Sequence, residues 1–307
     1  MNVTMTIREV REALHDAGLR GSFLVRDLHT GEEIGIDPER QFPIASLVKV
    51  PLAVAVLERI ARRELDPATP IEVAPGRADS QGPTGMSKFR YPARIALDDL
   101  LYLSTSISDG VAADALFALI PPAEVTAELR NLGIEGITVR HRIVDLTDTP
   151  AERLHRGEAH LAHSLAIRAA TAGHGHPMPQ LDVTRANAGS ARAFVDLLQA
   201  LWTPSPIHPA AAARVRELLG DNVLRHRLAP DLSSDLSRWS SKTGTLLNLR
   251  HEVGVVEHAD GQVLAVAALT ESRVPAVFQP SAEALVGRVA RTFRDQLRRQ
   301  DTAGRSL

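Results

Sequence analysis

The chain has 307 residues, of which 44% are hydrophobic and 23% charged, the composition of an ordinary globular protein. This length fits one large or two small domains. Lysine plus arginine number 35 and aspartate plus glutamate 37, so the formal net charge is −2. With this charge balance we expect no nucleic-acid partner. Cysteine is absent, which excludes disulfides and thiolate chemistry.

The amino terminus does not have the apolar core of a secretory signal, and no stretch is long and apolar enough to span a bilayer. We therefore expect a cytoplasmic protein without a membrane partner. It would be secreted or periplasmic only if a leader had been removed. We also expect a monomer.

The first elements form a helix and a hairpin. Apolar residues recur at helical spacing over residues 5–17, and Gly18 is placed to stop the helix. Residues 21–28 and 32–37 then have the pattern of two strands joined by a tight turn.

The next stretch carries a candidate nucleophile. If it is helical, Ser46 and Lys49 lie three residues apart and share a face. A serine hydroxyl attacks a carbonyl only when a base takes its proton, and a lysine with a lowered pKa is such a base. The pair alone is a weak signal, because Ser-x-x-Lys also occurs by chance.

A second polar group follows a turn-rich segment at 66–70 and 75–83 and a predicted helix over Ile95–Ser106. There Ser108, Asp109 and Gly110 stand between two apolar segments. A serine hydroxyl there could take part in a proton relay, which needs only a positioned donor and acceptor. The alternative is that Ser108 caps a helix that begins at Val111.

The middle of the chain is predicted to be mostly helical. Residues 111–135 form two helices with a break at Pro121 and Pro122. Farther on, His160 and His163 share a helical face, but no third ligand stands at a standard spacing for zinc. We therefore expect no metal and no cofactor.

The last third returns to strands. Helices over 191–202 and 211–219 precede a strand that contains Lys242, Thr243, Gly244 and Thr245. Further strand patterns and a final helix over 281–297 complete the chain.

Three polar motifs thus occur in the order Ser-x-x-Lys, Ser-Asp-Gly and Lys-Thr-Gly. Only three lysines are present, Lys49, Lys88 and Lys242, and two of them stand in these motifs. A lysine can lose its proton, whereas an arginine cannot. On these residues the chain resembles the class A serine β-lactamases, within the penicillin-recognising serine hydrolases, over nearly its whole length.

The resemblance implies an α/β (α+β) fold of the β-lactamase/DD-peptidase type, an antiparallel sheet flanked by terminal helices plus an all-α lobe. Residues 1–50 and 205–307 would form the α/β lobe, and residues 51–204 the inserted helical lobe.

It also implies roles for individual residues. Ser46, Lys49, Ser108 and Lys242 would be catalytic, and the backbone N–H groups of Ser46 and Thr245 would form the oxyanion hole. Substrate would be bound by the residues Thr243, Gly244 and Arg250.

Two departures from the family concern turnover. Gly110 stands where the family has an asparagine whose amide holds substrate. The family's glutamate that activates the deacylating water has no clear counterpart. The carboxylates available for that task are Asp145, Asp148, Glu152 and Glu158.

We therefore expect a β-lactamase-type serine hydrolase that forms an acyl-enzyme with a small-molecule β-lactam or a related amide and deacylates slowly. One alternative is a cytoplasmic acyltransferase or esterase of secondary metabolism that uses the same serine. Another is a catalytically decayed β-lactam-binding protein.

Overall fold

The computed structural model describes residues 3–74, 85–150, 154–168 and 174–304. The strands are β1 (Leu19–Asp27), β2 (Glu33–Ile36), β3 (Gln41–Pro43), β4 (Pro70–Val73), β5 (Ala93–Ala96), β6 (Ala188–Ser190), β7 (Ser237–Leu246), β8 (Leu249–His258) and β9 (Val263–Ser272). The α-helices are α1 (Val3–Asp16), α2 (Lys49–Ala61), α3 (Leu97–Thr105), α4 (Gly110–Leu119), α5 (Pro122–Asn131), α6 (Ile143–Thr147), α7 (Ala159–Arg168), α8 (Ala191–Trp202), α9 (Pro209–Gly220), α10 (Ala229–Leu232) and α11 (Pro280–Gly304).

The main sheet has five antiparallel strands in the order β2-β1-β9-β8-β7. Strand β9 is apolar along most of its length because helices cover both of its faces. Leu264 and Val266 face a core that includes α1 and α11, whereas Ala265 and Ala267 face the larger core that includes α2 and α8. The predicted antiparallel sheet flanked by the terminal helices is therefore confirmed.

Helix α2 is the centre of the helical part of the molecule. Its residues from Lys49 to Glu58 are all buried, and it packs against α3, α4, α5 and α9. A helix that is apolar on every side must lie inside the protein. Its first residue, Lys49, is consequently held in the interior.

The predicted division into an α/β lobe and a helical lobe meets one complication in the structure. Helix α8 belongs to the range 51–204, yet it packs on β1, β8 and β9. The same range contains the hairpin of β4 and β5 and the short strand β6, which pairs with β3. Residues 51–204 are therefore not all-α.

The two helices predicted between residues 111 and 135 are confirmed as α4 and α5, with the break at the two prolines. Proline suits the first turn of a helix, where its missing N–H is not needed, and α5 begins at Pro122. Among the described helices none alone could cross a membrane by length and composition. Helices α4 and α5 taken together satisfy that test, with a bend of 73° between them.

Two predicted helix boundaries differ from the structure. Ile95 lies in β5, where it pairs with Ile71, and the helix begins only at Leu97. The β-branched side chain of isoleucine favours this strand pairing. Ser46 lies in a 3₁₀ turn, Ala45–Val48, directly before α2. The predicted loop at 75–83 falls outside the described residues.

Candidate active site

Ser46 lies in the 3₁₀ turn, at a close approach between that turn and strand β7. The preceding residue, Ala45, has φ 47, a left-handed conformation that costs energy for a residue with a side chain. On the facing strand, a Cβ at Gly244 would lie 2.9 Å from the Ile44 carbonyl oxygen. Only glycine lets the strand come this near to the turn.

The four residues predicted to be catalytic lie together. Lys49 Nζ lies 3.4 Å from Ser46 Oγ, 3.3 Å from Ser108 Oγ and 2.6 Å from the Ser108 carbonyl oxygen. On its other side, Ser108 Oγ accepts a hydrogen bond from Lys242 Nζ at 2.9 Å. Ser108 therefore connects the two lysines, and Lys49 connects Ser108 to Ser46.

Asp109, the residue after Ser108, caps helix α4. Ser108 has φ 65, and the Asp109 carboxylate caps α4 by accepting from the N–H groups of Val111 and Ala112. The same carboxylate accepts from the backbone and the hydroxyl of Ser87. The helix cap is Asp109, so the alternative role of Ser108 as the cap is wrong.

Burial controls the charge of both lysines, whose side chains are inaccessible to solvent. Burial lowers the pKa of Lys49 to about 8, although the carboxylates of Asp109 and Asp114 act in the opposite direction. Burial, and then the nearby charge of Lys49, lowers the pKa of Lys242 well below its usual value. With a pKa of about 8, roughly a tenth of Lys49 is the free amine at pH 7 and about half at pH 8, and this free amine can accept a proton.

The position that the family fills with asparagine is crowded, so a side chain there would need its neighbour to shift. A Cβ on Gly110 would lie 2.9 Å from Ile143 Cγ2. Helix α6 fixes Ile143 there, because Asp114 accepts hydrogen bonds from the N–H groups of Ile143 and Val144 at 2.7 and 2.8 Å. An apolar side chain thus occupies the space beside Gly110.

The proposed substrate-binding strand is held in place by an arginine that the sequence analysis did not identify. Arg227 is buried, and its guanidinium donates to Thr245 Oγ1 at 2.7 Å and to the His251 carbonyl oxygen at 2.9 Å. These bonds position Thr245 at the end of β7, next to the buried residues Thr243 and Gly244. No local pattern in the sequence distinguishes Arg227 from the many other arginines.

Arg250, predicted to bind the substrate carboxylate, forms its hydrogen bonds and ion pair with other residues of the protein. Its side chain is buried and donates to the carbonyl oxygens of Leu247 and Val277. Its Nε lies 3.3 Å from the carboxylate of Glu283. These contacts give Arg250 a role in fixing the turn after β7. The proposed substrate site therefore does not include Arg250.

None of the described candidates for the deacylation base is among the described hydrogen-bond partners of the serine or its lysine. Asp145 closes the first turn of α6 by accepting from the Arg142 N–H at 3.2 Å. Asp148 and Glu158 are exposed. Glu152 lies outside the described residues. Within the described ranges no carboxylate is hydrogen-bonded to Ser46 or Lys49.

The two histidines that share a helical face lie on α7. His160 is exposed and His163 is buried. In the described part of the chain no group of three or more histidine, aspartate or glutamate residues is arranged to hold a metal ion. The expectation of no metal stays a prediction.

A serine beside a buried lysine, at the edge of an antiparallel sheet packed with helices, defines a site of the serine hydrolase type. The sequence pattern described as the Beta-lactamase enzyme family matches residues 5–297. The chain belongs to this family, which confirms the predicted resemblance.

Similar proteins include both a regulator and enzymes. The chain is 62% identical over 309 residues to the Beta-lactamase regulatory protein BlaB of Streptomyces cacaoi, covering 97% of this chain and 99% of that protein. A β-lactamase from Chitinophaga pinensis has a TM-score of 0.75 at 20% identity, covering 95% of this chain and 99% of that one. A PBP-A mutant, solved as an acyl-enzyme complex with penicillin G, has a TM-score of 0.74 at 15% identity, covering 96% and 97%. At these identities the two solved structures establish the fold.

Proposed function

We propose that the protein is acylated at Ser46 by β-lactams or related amides and releases the acyl group slowly. The observation that carries this proposal is the position of Lys49, whose buried amine is within reach of both Ser46 Oγ and Ser108 Oγ. An unprotonated amine at this point can activate the serine, and the second hydroxyl can carry the proton onward.

Ser46, Lys49, Ser108 and Lys242 can carry out every proton transfer of the acylation step. The Ser46 oxygen forms a bond to the carbonyl carbon while Lys49 Nζ takes the hydroxyl proton. The carbon–nitrogen bond of the amide then breaks. The leaving nitrogen receives a proton from Ser108, which is resupplied by Lys49 or Lys242 through the hydrogen bonds that join them.

The charge that develops on the carbonyl oxygen needs donors. We assign them to the N–H groups of Ser46 and Thr245, which the close packing of the 3₁₀ turn against β7 supports. Removing one such donor costs about 3 kcal/mol of transition-state stabilisation in comparable sites. Lys242, Thr243 and Gly244 lie on strand β7, as Thr245 does, and would bind the acidic group of the substrate.

Slow release follows from the surroundings of Ser46. Hydrolysis of the ester needs a base that holds a water, and Asp109 and Asp114 already accept several hydrogen bonds from protein donors. The space beside Gly110 is filled by the apolar Ile143. No described carboxylate is hydrogen-bonded to Ser46 or Lys49, which supports slow attack of water on the ester.

Intact-protein mass spectrometry after mixing with a penicillin tests the acylation. The wild type should gain one ligand mass, and Ser46→Ala should gain none. Ser281→Ala, which changes an exposed serine far along the chain, is the control and should label like the wild type. Equal labelling of Ser46→Ala would disprove the assignment.

The acyltransferase alternative is distinguished by adding an acceptor to the isolated acyl-protein. If an amine or an alcohol removes the acyl group much faster than water does and appears in the product, the protein is an acyltransferase. If the acceptor leaves the lifetime of the acyl-protein unchanged, transfer is excluded for that acceptor.

We propose as a second candidate that the acyl-protein is a signal that regulates β-lactamase production. The observation that favours it is the 62% identity to a protein named as a β-lactamase regulator. A long-lived acyl-protein suits a sensor better than a catalyst. The test is β-lactamase induction in a host that has lost this gene: the wild-type gene should restore induction and the Ser46→Ala gene should not. Full restoration of induction by the Ser46→Ala gene would show that regulation does not require acylation of Ser46.

A further inference from the structure

A second cavity lies beside α7, and Pro43, three residues before Ser46, is among the residues that line it. It has a volume of about 380 Å³ and is lined by the end of α1, the start of β1, the end of β9, α7 and the turn between β7 and β8. None of Ser46, Lys49, Ser108 and Lys242 is among the described residues that line it. The volume lies in the range of small-molecule sites, which are about 300–1,000 Å³.

The inner wall of this cavity is apolar. Leu19, Leu181 and Leu249 contribute buried side chains, and Ala166 and Ile167 contribute the surface of α7. Such a wall favours a ligand with a hydrocarbon body, because binding removes that body from water.

The rim of the cavity carries an excess of positive charge. Arg20 is paired with Glu271, so these two charges compensate each other. Arg273 is exposed, and its one described hydrogen bond goes to the neutral His15 carbonyl oxygen. His176, deeper in the wall, has both ring nitrogens bonded to backbone groups. The guanidinium of Arg273 is therefore the charge at the rim with no carboxylate partner among the described contacts.

We propose that this cavity binds a small organic anion, a carboxylate with an apolar body. The carboxylate pairs with the guanidinium of Arg273, from which it can accept two parallel hydrogen bonds. The body lies against Leu19, Leu181 and Leu249. None of the four predicted catalytic residues lines this cavity, so the proposed binding does not depend on the function proposed for Ser46.

The probe for the test is 4-phenylbutanoate, with the neutral 4-phenylbutanamide as its matched analogue. Binding is measured by calorimetry and by saturation-transfer NMR on the full chain carrying Ser46→Ala, which removes covalent reaction from the readout. The carboxylate should bind saturably below about 10 mM, the weak range expected for a small probe. The amide should bind at least about fivefold more weakly, because it lacks the charge.

Two cavity variants and one control complete the experiment. Arg273→Gln should weaken 4-phenylbutanoate binding by about fivefold or more. Ile167→Trp should abolish it by filling the cavity. Arg130→Gln, which removes an exposed arginine from α5 outside the cavity, should bind like the parent.

Three outcomes would overturn the proposal. The first is the absence of saturable binding of the carboxylate at about 10 mM. The second is equal binding of the carboxylate and the amide, which would show that binding does not depend on the negative charge. The third is unchanged binding in Arg273→Gln. This substitution is on the surface, so it keeps the test decisive even if Ile167→Trp does not fold.

Discussion

The charge of Lys49 should set the pH dependence of acylation. Its pKa of about 8 means that the free amine becomes tenfold scarcer with each pH unit below that value. The second-order rate of Ser46 acylation should therefore rise with pH and level off above about pH 8. Rates from intact-mass time courses between about pH 5.5 and 9.5 give the profile.

Lys49→Arg is the control for this profile. Arginine keeps the positive charge but cannot supply an unprotonated nitrogen, so acylation should fall by about a hundredfold or more at every pH. Circular dichroism checks that the variant is folded. A flat profile in the wild type, or near wild-type acylation in the arginine variant, would show that Lys49 is not the base.

Restoring the family's asparagine at Gly110 should destabilise this protein. A Cβ at this position would contact Ile143 Cγ2 at 2.9 Å, and overpacking of this kind costs about 1–3 kcal/mol. Urea unfolding should show that loss in Gly110→Asn. The double variant Gly110→Asn/Ile143→Ala should lose less unfolding free energy than the sum of the losses of the two single variants, because the second change makes room for the first. Strict additivity would mean that the contact is relieved in another way.

At the scale of elements, helix α6 should depend on one carboxylate of α4. Asp114 accepts the N–H groups of Ile143 and Val144, and Asp114→Ala leaves both donors without their partner. The free energy of unfolding should fall by about 2 kcal/mol. Hydrogen exchange should accelerate at the amides of residues 143 and 144. Asp99→Ala, at an exposed site in the first turn of α3, is the control and should cost less than about 1 kcal/mol.

The regular elements could be predicted because their patterns are local. The break between α4 and α5 was predicted from Pro121 and Pro122, and β7 to β9 from runs of strand-forming residues. Ser46 was expected in a helix but lies in a 3₁₀ turn, since a turn of four residues is too short to have a period. The start of α3 was misplaced because strand pairing between Ile71 and Ile95 overrode the helical spacing.

At the scale of the whole molecule, the serine and the two lysines of the site were found from motif order, but their supports were not. Ser87 reaches Asp109 across 22 positions of sequence, and Arg227 reaches Thr245 across 18. Contacts between such distant residues depend on how the elements pack, and no spacing rule encodes them. The same holds for Ile143, whose position beside Gly110 results from the docking of α6 on α4.

The packing of the whole molecule around Ser46 leads to the last prediction, a burst in product formation. In the proposed mechanism Lys49 is the base for acylation, whereas Asp109 and Asp114 are hydrogen-bonded to protein donors. Loss of general-base catalysis slows a step by about a hundredfold to ten-thousandfold, so the acyl-protein should outlive its formation by a wide margin. Stopped-flow measurements with a chromogenic cephalosporin should therefore show about one equivalent of rapid product release and then a slow phase. The Ser46→Ala protein, as the control, should show neither phase. Rapid linear turnover by the wild type would mean that a water-activating base is present. Asp148, Glu152 and Glu158 would then be the first residues to substitute in a search for it.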